Sequence, residues 1–156
     1  MTVTLENRSL VRSTLTGLLS TALVGTSKPC AAVYGYMVAN FQGQSPVVCV
    51  TSSGTARTKI AEPLVVRGVF YIDIHIFSLY AMKDATISED DSEDNLDYVE
   101  MSIFNVLMDT ANYVKLPYWN SLDQEGRSIT DIVEDVNGNA YRHEVISLAV
   151  KIKSEG

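Results

Sequence analysis

Cysteine is almost missing from this chain: Cys30 and Cys49 are the only two in 156 residues. That excludes a disulfide-scaffolded miniprotein. Histidine is equally scarce, with His75 and His143 alone, and no C-x-x-C pair occurs, so no zinc-site spacing is present. No apolar run reaches the roughly 18–20 residues of a membrane span. Residues 15–24 are interrupted by Thr16, Gly17, Ser20 and Thr21, and Glu6 stands where a secretion leader would be basic. That stretch therefore reads as an amphipathic helix, and free thiols without a leader point to the cytoplasm as the place of synthesis. There is no G-x-S-x-G, no P-loop and no G-x-G-x-x-G. Basic residues number 12 against 19 acids, a net charge of −7, so the basic footprint of nonspecific nucleic-acid binding is missing too.

What remains is an ordinary globular composition, 46% hydrophobic and 20% charged. The length fits one domain over 1–156, long enough to bury a real core. The charge is segregated. Residues 1–83 hold seven basic and three acidic side chains, a balance of +4, whereas residues 84–156 hold five basic and sixteen acidic, a balance of −11. A single domain built from these halves is electrically polar, which suits assembly of one face onto a different face of a neighbour. The plainer account is that the acids solvate helix starts and loops.

Periodicity supplies the elements. Val11, Leu15, Leu18, Leu19 and Ala22 form one stripe of a helix over 5–24, with Arg8, Arg12, Ser13 and Thr16 opposite and Gly25 and Pro29 at its exit. Residues 31–40 are rich in strand formers, weakened by Gly35. Pro46 opens a short buried strand, 47–51, that Ser52-Ser53-Gly54 ends. Residues 55–66 lack a clear period and are expected to form a long hairpin loop. Residues 68–80 alternate strictly, with Phe70, Ile72, Ile74 and Ile76 on one face and Tyr71, Asp73, His75 and Phe77 on the other. An acidic stretch, 84–95, leads into a helix to about Leu116. Its apolar side is Leu96, Val99, Ile103, Val106, Leu107 and Val114, and Ser88 or Ser92 is its expected cap. After a loop over 117–127, a strand at 129–136, a turn at Asn137-Gly138-Asn139 and a last strand over 140–153 form a hairpin. The order predicts an α+β fold: one mostly antiparallel or mixed β-sheet with two main helices packed on one face.

Chemistry is sparse. His75 lies two residues after Asp73 on one strand face, and the two histidines meet only if their strands pair. The acidic run 89–97 lacks the glycine and the final glutamate of an EF-hand loop, so it reads as helix-start acids. No catalytic group, metal or cofactor is assigned. Arg57, Lys59 and Arg67 form a basic cluster without interleaved aromatics, which suits an acidic protein surface or plain solvation better than nucleic acid. Trp119, with Tyr113 and Tyr118, reads as a core plug or an interface anchor.

The succession of an N-terminal amphipathic helix, the Pro46-Val-Val-Cys-Val-Thr strand, a basic hairpin, the Val69-Phe-Tyr-Ile-Asp-Ile-His-Ile-Phe-Ser strand, an acidic helix start and the Tyr141-Arg-His-Glu-Val-Ile-Ser-Leu-Ala-Val-Lys-Ile strand resembles the tail-terminator (tail-completion) proteins of long-tailed bacteriophages. The likeness is one of element order over nearly the whole chain. Segment 117–139 is longer than that pattern, and 26–44 aligns poorly with it. The resemblance implies a virion structural protein at the tail–neck junction, assembled in the host cytoplasm, with no reaction. Its partners would be further copies of itself in a hexameric ring, the tail-tube protein and a head–tail connector or neck protein. DNA would pass through the lumen without specific binding, and no membrane is involved. The residues assigned to interfaces on this reading are Arg57, Lys59, Arg67, Tyr71, Asp73 and His75. The alternatives are another neck or tail part, such as a head-completion or tail-tube protein, and a small α+β enzyme or ligand-binding domain using His75 and His143.

Overall fold

The computed structural model describes residues 7–61, 65–82, 85–86, 89–109 and 121–155. Helix α1 spans Arg8–Leu23. Asn7 caps it, its side chain accepting the Ser9 N–H at 2.8 Å. Its buried residues are Val11, Leu15, Leu19 and Leu23, a strict spacing of four. Leu23 thus replaces Ala22 in the expected stripe, and Leu18 sits at its half-buried margin.

Seven strands among the described residues form one mixed sheet: β1 (Ala32–Tyr34), β2 (Val47–Ala61), β3 (Val65–Met82), β4 (Ala85–Thr86), β5 (Ser121–Gln124), β6 (Ile129–Glu134) and β7 (Ala140–Glu155). The path runs β1-β2-β3-β7-β5, with β4 on β3 and β6 beside β5 on β7. Only β1 pairs in parallel, with β2. The expected strand over 31–40 shrinks to this short piece, because the chain turns away after Tyr34.

The long loop expected over 55–66 is not a loop. Strand β2 continues to Ala61 and pairs with β3 from Val47↔Phe77 to Ala61↔Val65. Register shifts at Ser52/Gly54 and Lys59/Ala61 explain the lost periodicity. Each bulge inserts a residue and switches which side chains face the core. Ser52-Ser53-Gly54 therefore bends the strand instead of ending it.

Helix α2 spans Glu89–Met108. Ser92 does not cap it. It lies inside the helix, fully buried, and its carbonyl accepts the Ser78 Oγ hydroxyl of β3 at 3.1 Å. Asp91, Glu93 and Asp94 lie in the first turns, where carboxylates complement the helix dipole. The helix stops at Met108 and not near Leu116, Asp109 donating back to the Val106 carbonyl. Ser88, Val114, Trp119, Tyr113 and Tyr118 lie outside the described residues.

The two helices cover one face of the sheet, so the fold is α+β as expected. Val11, Leu15, Leu19 and Leu23 of α1 and Leu96, Val99, Ile103 and Leu107 of α2 share one core with Ile72, Ile74, Ile146 and Leu148. The other face carries a second, smaller core. Phe41, from the connection after β1, packs its ring 4.6 Å from Phe77 and 4.9 Å from Tyr141, over Val47, Cys49 and Leu79. Cutting Ile74, fully buried at the centre of β3, to Ala is expected to cost about 2–5 kcal/mol. Urea unfolding measures this, and a loss well under that range would contradict a tightly packed central strand.

Candidate functional site

Beyond the small core, the second sheet face carries a line of polar side chains from four neighbouring strands. Thr51 of β2 lies directly opposite Asp73 of β3, and Phe77 of β3 opposite His143 of β7. His75 is therefore the diagonal neighbour of both Thr51 and His143, within reach on a pleated sheet. Thr51 Oγ1 lies 3.2 Å from His75 Nε2. His75 Nδ1 lies 2.9 Å from His143 Nε2. His143 Nδ1 lies 2.8 Å from Asp131 Oδ1 on β6. Phe77 stacks on the His143 ring with centroids 4.5 Å apart and planes 4° from parallel, fixing its orientation.

With Asp131 ionised and both imidazoles neutral, the four groups form one directed line of hydrogen bonds. An ionised Asp131 only accepts, so His143 donates from Nδ1. Neutral His143 then accepts at Nε2 from His75 Nδ1–H. Neutral His75 accepts at Nε2 from the Thr51 hydroxyl. Every bond in the line points toward Asp131. Burial disfavours charge on His75 and lowers its pKa below the ordinary 6.5, His143 lowers it further, and Asp73 and Asp131 oppose the shift. The line has the order of a hydroxyl, a base and an orienting acid. It lies flat on the sheet, however. The amides of β3 beside it are engaged in ladders with both β2 and β7 and are not aimed at a substrate. An open groove of about 700 Å³, lined by Leu18, Ala22 and Val106 among others, lies between α1 and α2 on the far side of the sheet.

The residues singled out in the sequence separate. His75 and His143 do meet, and Asp73 sits beside them. Tyr71 lies further along the same face, its ring 3.8 Å from where a side chain at Gly54 would begin. Arg57 does not cluster with Arg67. Its guanidinium lies over the Phe70 ring at 5.4 Å, on the helix side. Arg67 neighbours Gly68, whose added Cβ would strike Ile152 of the helix-side core at 3.1 Å, so alternation turns Arg67 to the histidine side. Lys59 pairs with Val66 near the hairpin tip. All three are carried on strands, not on a loop.

Thr51 and Asp131 were missed. A signal for Asp131 was present: the turn at Asn137-Gly138, with Gly138 at φ +82°, fixes the β6–β7 register and sets Asp131 opposite His143. Thr51 gave no such signal, because the bulge that follows it hides the β2 register. The acidic run belongs to α2, and no three His, Cys, Asp or Glu side chains converge as a metal would need among the described residues. On the helix side, Arg142 pairs with Glu93, and Ser128 donates to the buried Glu144. Glu100 titrates above the ordinary carboxylate range, from burial first and then from Glu144 and Asp97.

No protein-family model matches this chain, and no curated protein matches it.

The depressed His75 pKa sets a pH dependence. The unfolded chain takes up this proton first, so stability is full above about pH 6.5 and falls as pH drops below it, levelling once the folded value is passed. The thermal midpoint should therefore fall as pH drops below about 6.5, and His75→Gln should flatten that part of the profile; equal slopes in both proteins would refute the assignment. A second expectation concerns the thiols. Burial pushes Cys30 up to about 12 and raises Cys49 as well. Neither should react with a maleimide at neutral pH until the protein unfolds; rapid labelling of native protein would contradict their burial.

Proposed function

We propose that this chain is a structural ring protein of the tail-terminator type: a subunit that closes into a hexameric ring, caps a tail tube, stops its growth and offers a second face to a neck protein. The observation that carries the reading is charge polarity along the strands. Arg57, Lys59 and Arg67 stand at one end of the sheet, and α1 adds Arg8, bonded to Thr55 at 2.8 Å, and Arg12, bonded to Ser52 at 3.1 Å. At the other end, the start of α2 brings Asp91, Glu93 and Asp94, and the β6–β7 turn brings Glu134 and Asp135. A subunit with unlike ends suits a ring with unlike faces. The resemblance in element order supports the same reading, and the long β2–β3 hairpin is the element best placed to reach a neighbouring ring.

The histidine line supports a second reading, a small enzyme using His75 and His143, because a hydroxyl, two imidazoles and a carboxylate stand in order. The ladder-bound amides and the groove on the opposite sheet face weigh against it.

Native mass measurement and negative-stain imaging over a concentration series test the first reading. Closed six-fold rings without filaments are expected. Long hollow filaments would replace it with a tube protein. Arg57→Glu with Lys59→Glu should leave the fold intact and impair capping of tubes; unchanged tail length would sink the role of the hairpin. Hydrolysis of an activated ester that is lost in His75→Ala would favour the enzyme.

A further inference from the structure

Strand β6 is an open edge. Among the described residues it pairs with β7 alone, from Ile129↔Val145 to Glu134↔Ala140. In an antiparallel ladder every second residue turns its N–H and C=O away from the partner strand. On the outer side of β6 those groups are a template for a further strand. The devices that usually blunt such an edge are missing: residues 129–134 hold no lysine and no proline, and their pairing has no register shift. Ile129 lies on the histidine side and Ile132 on the helix side, and they are 67% and 50% exposed. The edge therefore shows apolar side chains on both faces.

We propose that this edge docks an extended, basic segment of a partner protein, which adds a strand to the sheet beside β6. Charge identifies the segment. Residues 121–135 carry Asp123, Glu125, Asp131, Glu134 and Asp135 against Arg127 alone. The helix side of the same edge is acidic too. Thr130 lies opposite the buried Glu144, and Glu100 of α2 is held above the ordinary carboxylate range by burial and then by Glu144 and Asp97. Arg142, opposite Ile132, is already paired with Glu93. Spacing refines the match. Each face of β6 sets one isoleucine two residues before one carboxylate: Ile129 before Asp131, and Ile132 before Glu134. An added strand with a base every third residue and a β-branched residue every third residue meets both carboxylates and both isoleucines within cross-strand reach.

Other occupants fit less well. The β6 edge of a second copy brings the same carboxylates and no base within the strand. The same field repels the phosphates of a nucleic acid. A strand of six residues spans about 20 Å, so the contact is short and suits a tail or linker of the partner. The site does not rest on the ring reading, because the edge belongs to the single chain.

Titration of the full chain into a fluorescent peptide, valine-threonine-lysine repeated three times, tests this by anisotropy at low salt. The basic peptide is expected to bind. Its valine-threonine-glutamate counterpart should not, and methylating alternate amides along one edge of the basic peptide should abolish binding. On binding, hydrogen exchange should slow at residues 129–134 and not on α2. Ile132→Lys, at an exposed position, should weaken binding roughly three- to tenfold while the circular dichroism spectrum stays unchanged. Equal affinity of the methylated peptide means charge attraction without strand pairing and overturns the proposal. So does equal affinity of the acidic peptide, failure of the basic one to bind, or protection that falls elsewhere than β6. Exchange at 129–134 that slows in the chain alone as its concentration rises overturns it in favour of a second copy on this edge.

Discussion

Strand β3 is paired along nearly its whole length on both sides, by β2 and by β7, and almost every other feature follows from that double register. Its backbone polar groups are satisfied within the sheet, so its side chains alone decide what each face can do. Ile72, Ile74 and Ile76 make one face apolar and fully buried. A face of this kind needs a layer over it, and the leucine and valine stripes of α1 and α2 provide that layer. The buried Ser78–Ser92 contact then ties α2 to β3.

The opposite face is divided. Phe41 seals one part with Phe77 and Tyr141, and the other part holds Thr51, Asp73, His75 and Ser147, half-exposed. The polar line is possible only because four strands run side by side at matched height. It links β2, β3, β7 and the edge strand β6 through side chains, in addition to the backbone bonds of the ladders. Phe77 links the two parts, stacking on His143 while packing against Phe41.

Charge follows the fold in a way that composition alone does not convey. The basic first half and the acidic second half of the sequence are interleaved in the sheet, yet their charges separate toward opposite strand ends and opposite sheet edges. The bulges in β2 matter here. They let the strand continue past Gly54 and carry Arg57 and Lys59 in register with Gly68 and Val66 of β3. A hairpin loop would have held the same charges without a register to present them.

The sequence by itself determined the elements whose pattern is strictly periodic: the α1 stripe, the alternation of 68–80, the hairpin turn at Gly138 and the α+β class that these imply. Such signals are local, because a period of 3.6 or 2 is written into consecutive residues. It also marked His75, Asp73 and His143 as residues that would matter if their strands paired. Tertiary structure alone decided that they do pair, that Thr51 and Asp131 complete the line, that Arg57 and Arg67 face opposite ways and that Ser92 is buried against Ser78. Each of those facts rests on register between strands or on a bulge. One inserted residue flips every later side chain to the other face, and nothing local to the sequence announces it.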